Sequence, residues 1–190
     1  MRKRNSSVVT IIVFMVIVAA FYYFNHAPQG TPSGKSTGNQ GGTSASTPNW
    51  GKQTKTSGCI VHGALQDTAC TPGDILSQAT KTAICKSGYA SSVRNVPQSE
   101  KNQVYAAYGI THHASGQYEV DHLVSLELGG SNDISNLWPE AASPTPGFHQ
   151  KDKVENYLHD QVCSGAVSLQ QAQVEIATNW LGVYNQMPNK

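Results

Sequence analysis

Four side chains that can bind a cation or accept a proton lie within one stretch of this 190-residue chain, residues 118–156. Asp121 and His122 are adjacent, and Asn136 and His149 follow them in that order. A carboxylate and an imidazole from separate elements can share one divalent cation, and a neighbouring imidazole can accept a proton near neutral pH. The stretch therefore predicts metal-assisted hydrolysis.

The elements that position these groups can be predicted from the pattern around them. Apolar and polar residues alternate over 118–128, which predicts a strand, and a Gly-rich turn separates it from a second short strand over 134–138. A Pro-rich loop precedes a helix over 148–162, whose start offers unpaired N–H groups to a phosphate. Because side chains alternate along a strand, we expect a bulge or the strand end to turn Asp121 and His122 toward one cation.

Further helices are predicted on both sides of this stretch. They cover 75–84, then 100–108 with Ser99 as its cap, and a last segment beginning at Ser168, where Ser-Leu-Gln-Gln matches a capping box. Two short strands among several helices indicate the α+β class.

The residues of this stretch resemble the HNH endonucleases, the ββα-metal nucleases. Asp121-His122-Leu123-Val124-Ser125-Leu126 corresponds to the Asp-His strand of that family, Gly129-Gly130 to its turn, Asn136-Leu137 to its middle Asn, and His149 followed by Lys151 to its final His. The longer pattern, through Trp138-Pro139, is similar to exported bacterial and phage members. The resemblance covers 118–156 densely and the rest of 58–190 loosely.

This resemblance implies a ββα-metal core with flanking helices and an endonuclease that hydrolyses DNA, with RNA as a further candidate substrate. His122 would be the general base that deprotonates water, while Asp121 and His149 would hold the metal. Asn136 would fix the loop and orient His122. The implied metal is Mg²⁺, with Mn²⁺ or Zn²⁺ as alternatives, and the implied products carry a 5′-phosphate and a 3′-hydroxyl.

Cations near the stretch are candidate phosphate contacts, namely Lys151, Lys153 and Arg94. Glu155 could orient a metal ligand from the helix. The rival hypothesis is a catalytically inactive, disulfide-stapled surface domain that binds metal or nucleic acid. No protein partner is predicted.

Charge is segregated along the chain. Residues 58–190 carry seven Lys and Arg against all twelve Asp and Glu, a balance of −5. This excludes a polybasic nucleic-acid binder, whose affinity comes from dense cations. For a nuclease of this charge we expect weak, salt-sensitive binding without sequence preference.

The N-terminal residues 1–24 predict a membrane anchor. Arg2, Lys3 and Arg4 precede the uncharged run 8–24, which is long enough to span a bilayer. The basic flank should stay in the cytoplasm, which places the C-terminal domain outside. The alternative is a cleaved signal peptide and a secreted protein.

Residues 25–57 predict a flexible linker, because they are rich in Gly, Ser, Thr and Pro and contain one large apolar residue, Trp50. The domain that follows, 58–190, holds all four cysteines. Three pairings are possible, and export favours disulfides over free thiols. We favour Cys59 with Cys70 and Cys85 with Cys163. In the exported HNH members, cysteines at the positions of the second pair tie the motif to flanking helices.

Overall fold

A two-stranded sheet packed among helices forms the domain, which confirms the α+β class. The structure is a computed structural model and describes residues 47–188. The predicted anchor, 1–24, and most of the predicted linker lie outside the described residues. The elements in chain order are α1 (Lys81–Ile84), α2 (Tyr89–Val93), α3 (Gln98–Ala107), β1 (Tyr118–His122), β2 (Leu137–Ala141), α4 (Phe148–Ser164) and α5 (Leu169–Gln186).

The strands β1 and β2 form a regular antiparallel pair. Tyr118 lies opposite Ala141 and His122 opposite Leu137, with one residue facing one residue throughout. Pro139 occupies the middle of β2, which a two-stranded sheet tolerates because each strand has a free edge. The second strand was predicted over 134–138, three residues before the observed β2, Leu137–Ala141.

The first strand is shorter than the predicted 118–128, because its backbone leaves the ladder after His122. The N–H of Leu123 donates to the carbonyl of Asn136 at 2.7 Å, and Leu126–Leu128 then form a 3₁₀ turn. A second 3₁₀ turn, Ile134–Asn136, is capped by Asp133 and leads into β2.

The predicted helix over 75–84 is helical only in α1, its last four residues. Ile75 instead forms a bridge with Gly130, and the Leu76 N–H donates to the Gly129 carbonyl at 2.9 Å. Because Ile75 and Leu76 pair with the backbone of Gly130 and Gly129, their own backbone groups are not available for the hydrogen bonds of a longer helix. The helix begins after Thr80, whose side chain accepts from the Ala83 N–H.

The helices α3, α4 and α5 lie close to their predicted positions, whereas α2 was not predicted. α3 begins at Gln98 after Pro97, so Ser99 lies inside the helix and does not cap it. Ser168 does cap α5, since its Oγ accepts from the Gln171 N–H at 3.1 Å. The helix predicted over 148–162 is α4, which extends to Ser164.

The hydrophobic core joins α4, α5 and the loop after β1. α4 and α5 pack directly against each other, and both also contact the 3₁₀ turn at Leu126–Leu128. Two tryptophans, Trp138 and Trp180, are fully buried here, as expected for core residues. The buried core residues are Ile84, Leu123, Val124, Leu128, Trp138, Val154, Leu158, Val162, Ala172, Ile176, Ala177 and Trp180.

Part of the predicted linker belongs to the folded domain. Trp50 is partly buried against the core, and the Gly51 N–H donates to the Gly73 carbonyl at 2.9 Å. The Lys55 ammonium pairs with Asp67 at 3.0 Å. The ordered domain therefore begins before residue 58, and the apolar Trp50 marks where it does.

Two disulfides join the pairs favoured from the sequence, Cys59–Cys70 and Cys85–Cys163. The first closes a local loop, and the second connects the end of α1 to the last turn of α4. In the chain-entropy model they contribute about 3 and about 4.5 kcal/mol, with the larger value for the longer loop. Among the described residues no helix is both long and apolar enough to cross a bilayer.

Candidate functional site

The end of β1 presents Asp121 and His122 to two different neighbourhoods. The ladder pairs Asp121 with Trp138 and His122 with Leu137 without a bulge. Adjacent side chains of a regular strand leave on opposite faces. Asp121 accordingly meets a side chain from α4, whereas His122 meets one from the loop between the strands. The expectation that a bulge or the strand end turns both side chains toward one cation is therefore wrong.

Asp121 forms an ion pair with Lys151 of α4. The Lys151 ammonium donates to Asp121 Oδ2 at 2.6 Å, to the His122 carbonyl at 2.7 Å and to Glu155 Oε1. The Lys151 side chain has no exposed surface. Although the sequence made Lys151 a candidate phosphate contact, its ammonium is enclosed by protein in this structure.

This pairing keeps Asp121 and Lys151 charged. Burial acts to raise the pKa of Asp121, but the charge and hydrogen bond of Lys151 outweigh it and hold that pKa below its usual value. Burial acts to lower the pKa of Lys151, and the carboxylates of Asp121 and Glu155 raise it above its usual value. Both groups are therefore ionised at neutral pH.

Glu140 is a buried acid that the sequence analysis did not single out. It lies opposite Glu119 in the ladder and is 1% exposed. Burial and the nearby Asp121 carboxylate raise the pKa of Glu140 to about 10, against the opposing attraction of Lys151. Glu140 is therefore protonated at neutral pH. Neither of its carboxyl oxygens has a hydrogen-bond partner of good geometry among the described residues, although a proton on Glu140 could reach Asp121.

Further acids lie near Asp121, and His149 lies near one of them, Asp152. Glu119 is half-buried, and burial together with the charges of Asp121 and Asp152 raises its pKa to about 7. Burial and the charge of Asp121 also raise the pKa of Asp152, while His149 acts to lower it. His149 is exposed in the first turn of α4. The structure therefore gathers carboxylates and one imidazole near the start of α4.

These groups do not form a closed metal cage. Among the described residues, the only set of three donors with ligand atoms within 4.8 Å of one another is Cys85, His159 and Cys163. That set could hold a metal ion, but its sulfurs are joined in a disulfide. Zn²⁺ requires three or four converging protein ligands, whereas Mg²⁺ keeps several waters and takes one or two carboxylates plus substrate phosphate. Among the described residues, no such set of three includes Asp121 or His149.

His122 is held by Asn132, a residue that the sequence analysis treated only as part of a turn. The Asn132 Nδ2 donates to the Val93 carbonyl at 2.8 Å, and its Oδ1 accepts from the Asn95 N–H at 3.1 Å. Because Oδ1 is an acceptor, His122 Nε2, at 3.2 Å from it, must carry a proton. The lone pair of the neutral imidazole is then on Nδ1.

His122 remains neutral at physiological pH. Burial, supported by the charges of Arg94 and Lys151, lowers the pKa of His122 to about 4, although Asp121 and Asn132 act in the opposite direction. The neutral imidazole carries a free lone pair on Nδ1, but a pKa of about 4 makes it a weak proton acceptor near neutral pH.

Asn136 organises the loop that follows β1. Its Oδ1 accepts from the N–H groups of Val124 at 2.9 Å and Asp74 at 3.2 Å. Its Nδ2 donates to the carbonyls of Val124 at 3.0 Å and Ser131 at 2.8 Å. The side chain is fully buried and makes no bond to His122, so the hydrogen bond that orients the imidazole comes from Asn132.

The Gly129-Gly130 pair lets the loop close on Asn136. A Cβ at Gly130 would lie 1.8 Å from the Val124 carbonyl oxygen and 3.0 Å from Asn136 Nδ2. Gly129 has a φ of 74°, in the left-handed region. Any larger residue at Gly130 would push apart the groups that Asn136 joins.

The two remaining candidate phosphate contacts are exposed. Arg94 follows α2, and its charge acts on the pKa of both Glu119 and His122, which places it near the end of β1. Lys153 lies on the exposed side of α4. Neither is enclosed as Lys151 is.

Comparison of the chain with family models, with curated proteins and with solved structures finds no match.

Proposed function

We propose that this chain is a metal-dependent endonuclease that hydrolyses phosphodiester bonds of DNA, with RNA as the alternative substrate. The observation that carries the proposal is His122, a neutral, oriented imidazole beside an ionised Asp121 at the end of one strand. An imidazole base and a metal-binding carboxylate are the two groups that metal-assisted hydrolysis uses, and here they leave the strand on opposite faces.

The chain's own residues take distinct parts in this reaction. His122 accepts the proton of the attacking water at Nδ1, while Asn132 holds the opposite ring nitrogen. Asp121, through the side of its carboxylate that Lys151 leaves open, and His149 would hold Mg²⁺. When bound, Mg²⁺ would offset negative charge on the phosphate and on the leaving oxygen. Arg94 and Lys153 are the cations available to the DNA backbone.

Burial of His122 limits how water reaches it. The residue is 2% exposed, so the proposed reaction requires a movement that opens the imidazole to water. Because the domain carries net negative charge, we expect it to bind DNA weakly and without sequence preference, through Mg²⁺ and local cations.

A second candidate function is a catalytically inactive surface domain that binds metal or nucleic acid. Lys151 favours it, because an ammonium already neutralises Asp121 where a cation would otherwise do so. The two candidates differ in whether the phosphodiester bond is cut.

The proposed location is the outer side of a membrane, with residues 1–24 as a single-pass anchor. Two disulfides support exposure to an oxidising compartment. Secretion after cleavage of residues 1–24 is the alternative, and the mass of the mature protein separates the two.

Nicking of supercoiled plasmid by the full chain tests the proposal, with binding of the same DNA followed in parallel. With Mg²⁺ or Mn²⁺ the enzyme should nick, and EDTA or His122→Ala should abolish nicking. His112→Ala, which changes an exposed histidine before β1, should nick like the unmodified chain. DNA binding without nicking in any metal would support the binding domain and contradict the enzyme.

A further inference from the structure

Lys151 lies at the centre of a buried ion cluster in the candidate site. Its ammonium has three oxygen partners, which come from β1 and from α4 itself. Two are the carboxylates of Asp121 and Glu155, and the third is the backbone carbonyl of His122. Glu140, buried and without a hydrogen-bond partner of good geometry among the described residues, lies close enough to Lys151 to feel its charge.

This set of oxygens is the kind that surrounds a bound cation. Hard divalent cations take carboxylate and carbonyl oxygens, and the ammonium of Lys151 takes the same two kinds of oxygen here. Because Asp121 Oδ2 is bonded to Lys151 at 2.6 Å, a divalent ion cannot share that oxygen from the buried side. The Asp121 side chain is 13% exposed, so little of its surface is open to a divalent ion.

The contacts of Lys151 also join the two groups that the proposed reaction uses. One bond holds the carboxylate of Asp121, and another holds the backbone of the next residue, His122. Glu155, one turn along α4, holds the ammonium itself in place. A single side chain of α4 thus fixes the end of β1.

We propose that Lys151 is a positioning residue that acts as the resident cation of the site, so that Asp121 and His122 are held in place without a divalent ion. The divalent ion then binds weakly at the outer edge and arrives with the phosphate. This inference rests on the proposed function for its catalytic part, whereas its structural part concerns the chain alone.

The choice of lysine is consistent with this role. The site is fully buried and offers three oxygens around one point, which suits a compact ammonium. The planar guanidinium of arginine is larger and presents its donors as a fork, so Lys151→Arg should not restore the arrangement.

The test compares Lys151→Met with Lys55→Met in the full chain, by thermal unfolding with EDTA or with Mn²⁺. Lys55 also pairs with an Asp carboxylate, Asp67, but in a half-exposed place, so it controls for loss of a Lys–Asp pair. For the unmodified chain the unfolding temperature should be the same in EDTA as in Mn²⁺, and for Lys55→Met it should likewise not depend on Mn²⁺. Lys151→Met should unfold at least about 5 °C lower in EDTA, and Mn²⁺ should restore part of that loss, because the vacated carboxylates can then bind it.

A loss in Lys151→Met that Mn²⁺ does not restore would show a merely structural lysine and would overturn the inference. If Lys151→Met does not fold in either condition, Lys151→Gln is measured in the same way. Independently of any variant, Mn²⁺ titration of the unmodified chain should give weak binding, and micromolar binding or destabilisation by EDTA would also overturn the inference.

Cleavage assays separate this outcome from the proposed function. In Lys151→Gln the kcat for plasmid nicking should fall about tenfold or more with KM for DNA unchanged, since DNA contacts are not altered. An unchanged kcat would overturn the positioning role. Absence of nicking by the unmodified chain would defeat the proposed function, while the unfolding result would still decide whether Lys151 is the resident cation.

Discussion

The two sides of the β1–β2 hairpin are held by different chemistry. On the side of α4, Asp121 is fixed by the buried charge of Lys151. On the other side, amide groups do the same work without charge, since Asn132 holds His122 and Asn136 holds the loop. The comparison shows that His122 can remain neutral while the neighbouring Asp121 remains ionised. The neutral imidazole has an uncharged amide as its partner, and the carboxylate has an ammonium.

Asn136→Ala should produce the largest loss of stability, because it removes four hydrogen bonds on the uncharged side of the hairpin. Buried N–H and carbonyl groups of three other residues lose their partner, which should cost about 3–4 kcal/mol in the free energy of unfolding. Urea denaturation measures this loss. The matched control is Asn156→Ala, whose side chain makes one exposed bond to the Asp152 carbonyl and should cost less than about 0.5 kcal/mol. Equal losses in the two variants would contradict the assigned role of Asn136.

Acid should destabilise the neutral side through His122. Its pKa in the folded protein, about 4, lies below the usual 6.5. Between these pH values the unfolded chain binds a proton at His122 and the folded chain does not, so the free energy of unfolding falls as pH falls from 6.5 toward 4. The integrated loss from pH 7.5 to pH 4 is about 3 kcal/mol. Urea denaturation across this range should show a decline that is about that much smaller in His122→Gln. Parallel profiles for the two proteins would contradict the buried neutral imidazole.

The charged side should respond to pH in the opposite sense through Glu119. Its folded pKa of about 7 lies above the usual value, so the stability it contributes is present at low pH and is lost as pH rises through 7. Because the side chain is half-buried and partly screened, Glu119→Gln should stabilise the protein by only about 1 kcal/mol at pH 8 and by little at pH 5. Thermal unfolding at both pH values measures the change. Asp160→Asn, at a side chain 83% exposed, should show no such difference, and an equal gain in that control would refute the prediction.

Arg94→Gln should have the smallest effect, on DNA and not on the fold. Losing one phosphate contact should weaken binding roughly threefold to tenfold at low salt and lower the slope of log affinity against log salt by about one. Fluorescence anisotropy with labelled duplex measures both. Lys52→Gln removes an exposed charge from the segment before the first disulfide and should leave the slope unchanged. An unchanged slope in Arg94→Gln would remove this residue from the proposed interface.

Local patterns in the sequence predicted the two long helices, α4 and α5, well, but the predicted cap at Ser99 was wrong. The apolar stripe of α4 and the cap at Ser168 depend on neighbours within one or two turns, and both appear as predicted. The capping box does not close, because the Gln171 side chain bonds Glu175 instead. Residues Ile75 and Leu76 were predicted to be helical, but they pair with Gly129 and Gly130, more than fifty positions away. Contacts at such a separation leave no periodic trace in the chain.

The sequence also identified the residues at the end of β1, but not which partner each would take. Lys151 was grouped with the exposed Lys153 because both are basic. Its position held the better signal, since Lys151 precedes Val154 by three residues and Leu158 by seven, on the buried stripe of α4. Glu140 could not be identified, because the strand that places it opposite Glu119 was predicted to end before it.

The most direct measurement of the central claim is the chemistry of the cut ends. Plasmid incubated with the full chain and Mg²⁺ should acquire nicks that DNA ligase reseals, as 5′-phosphate and 3′-hydroxyl ends require, and His122→Ala should yield none. Plasmid that stays supercoiled with the unmodified chain, or that His122→Ala nicks equally well, would contradict the proposal that His122 serves as the base of a nuclease.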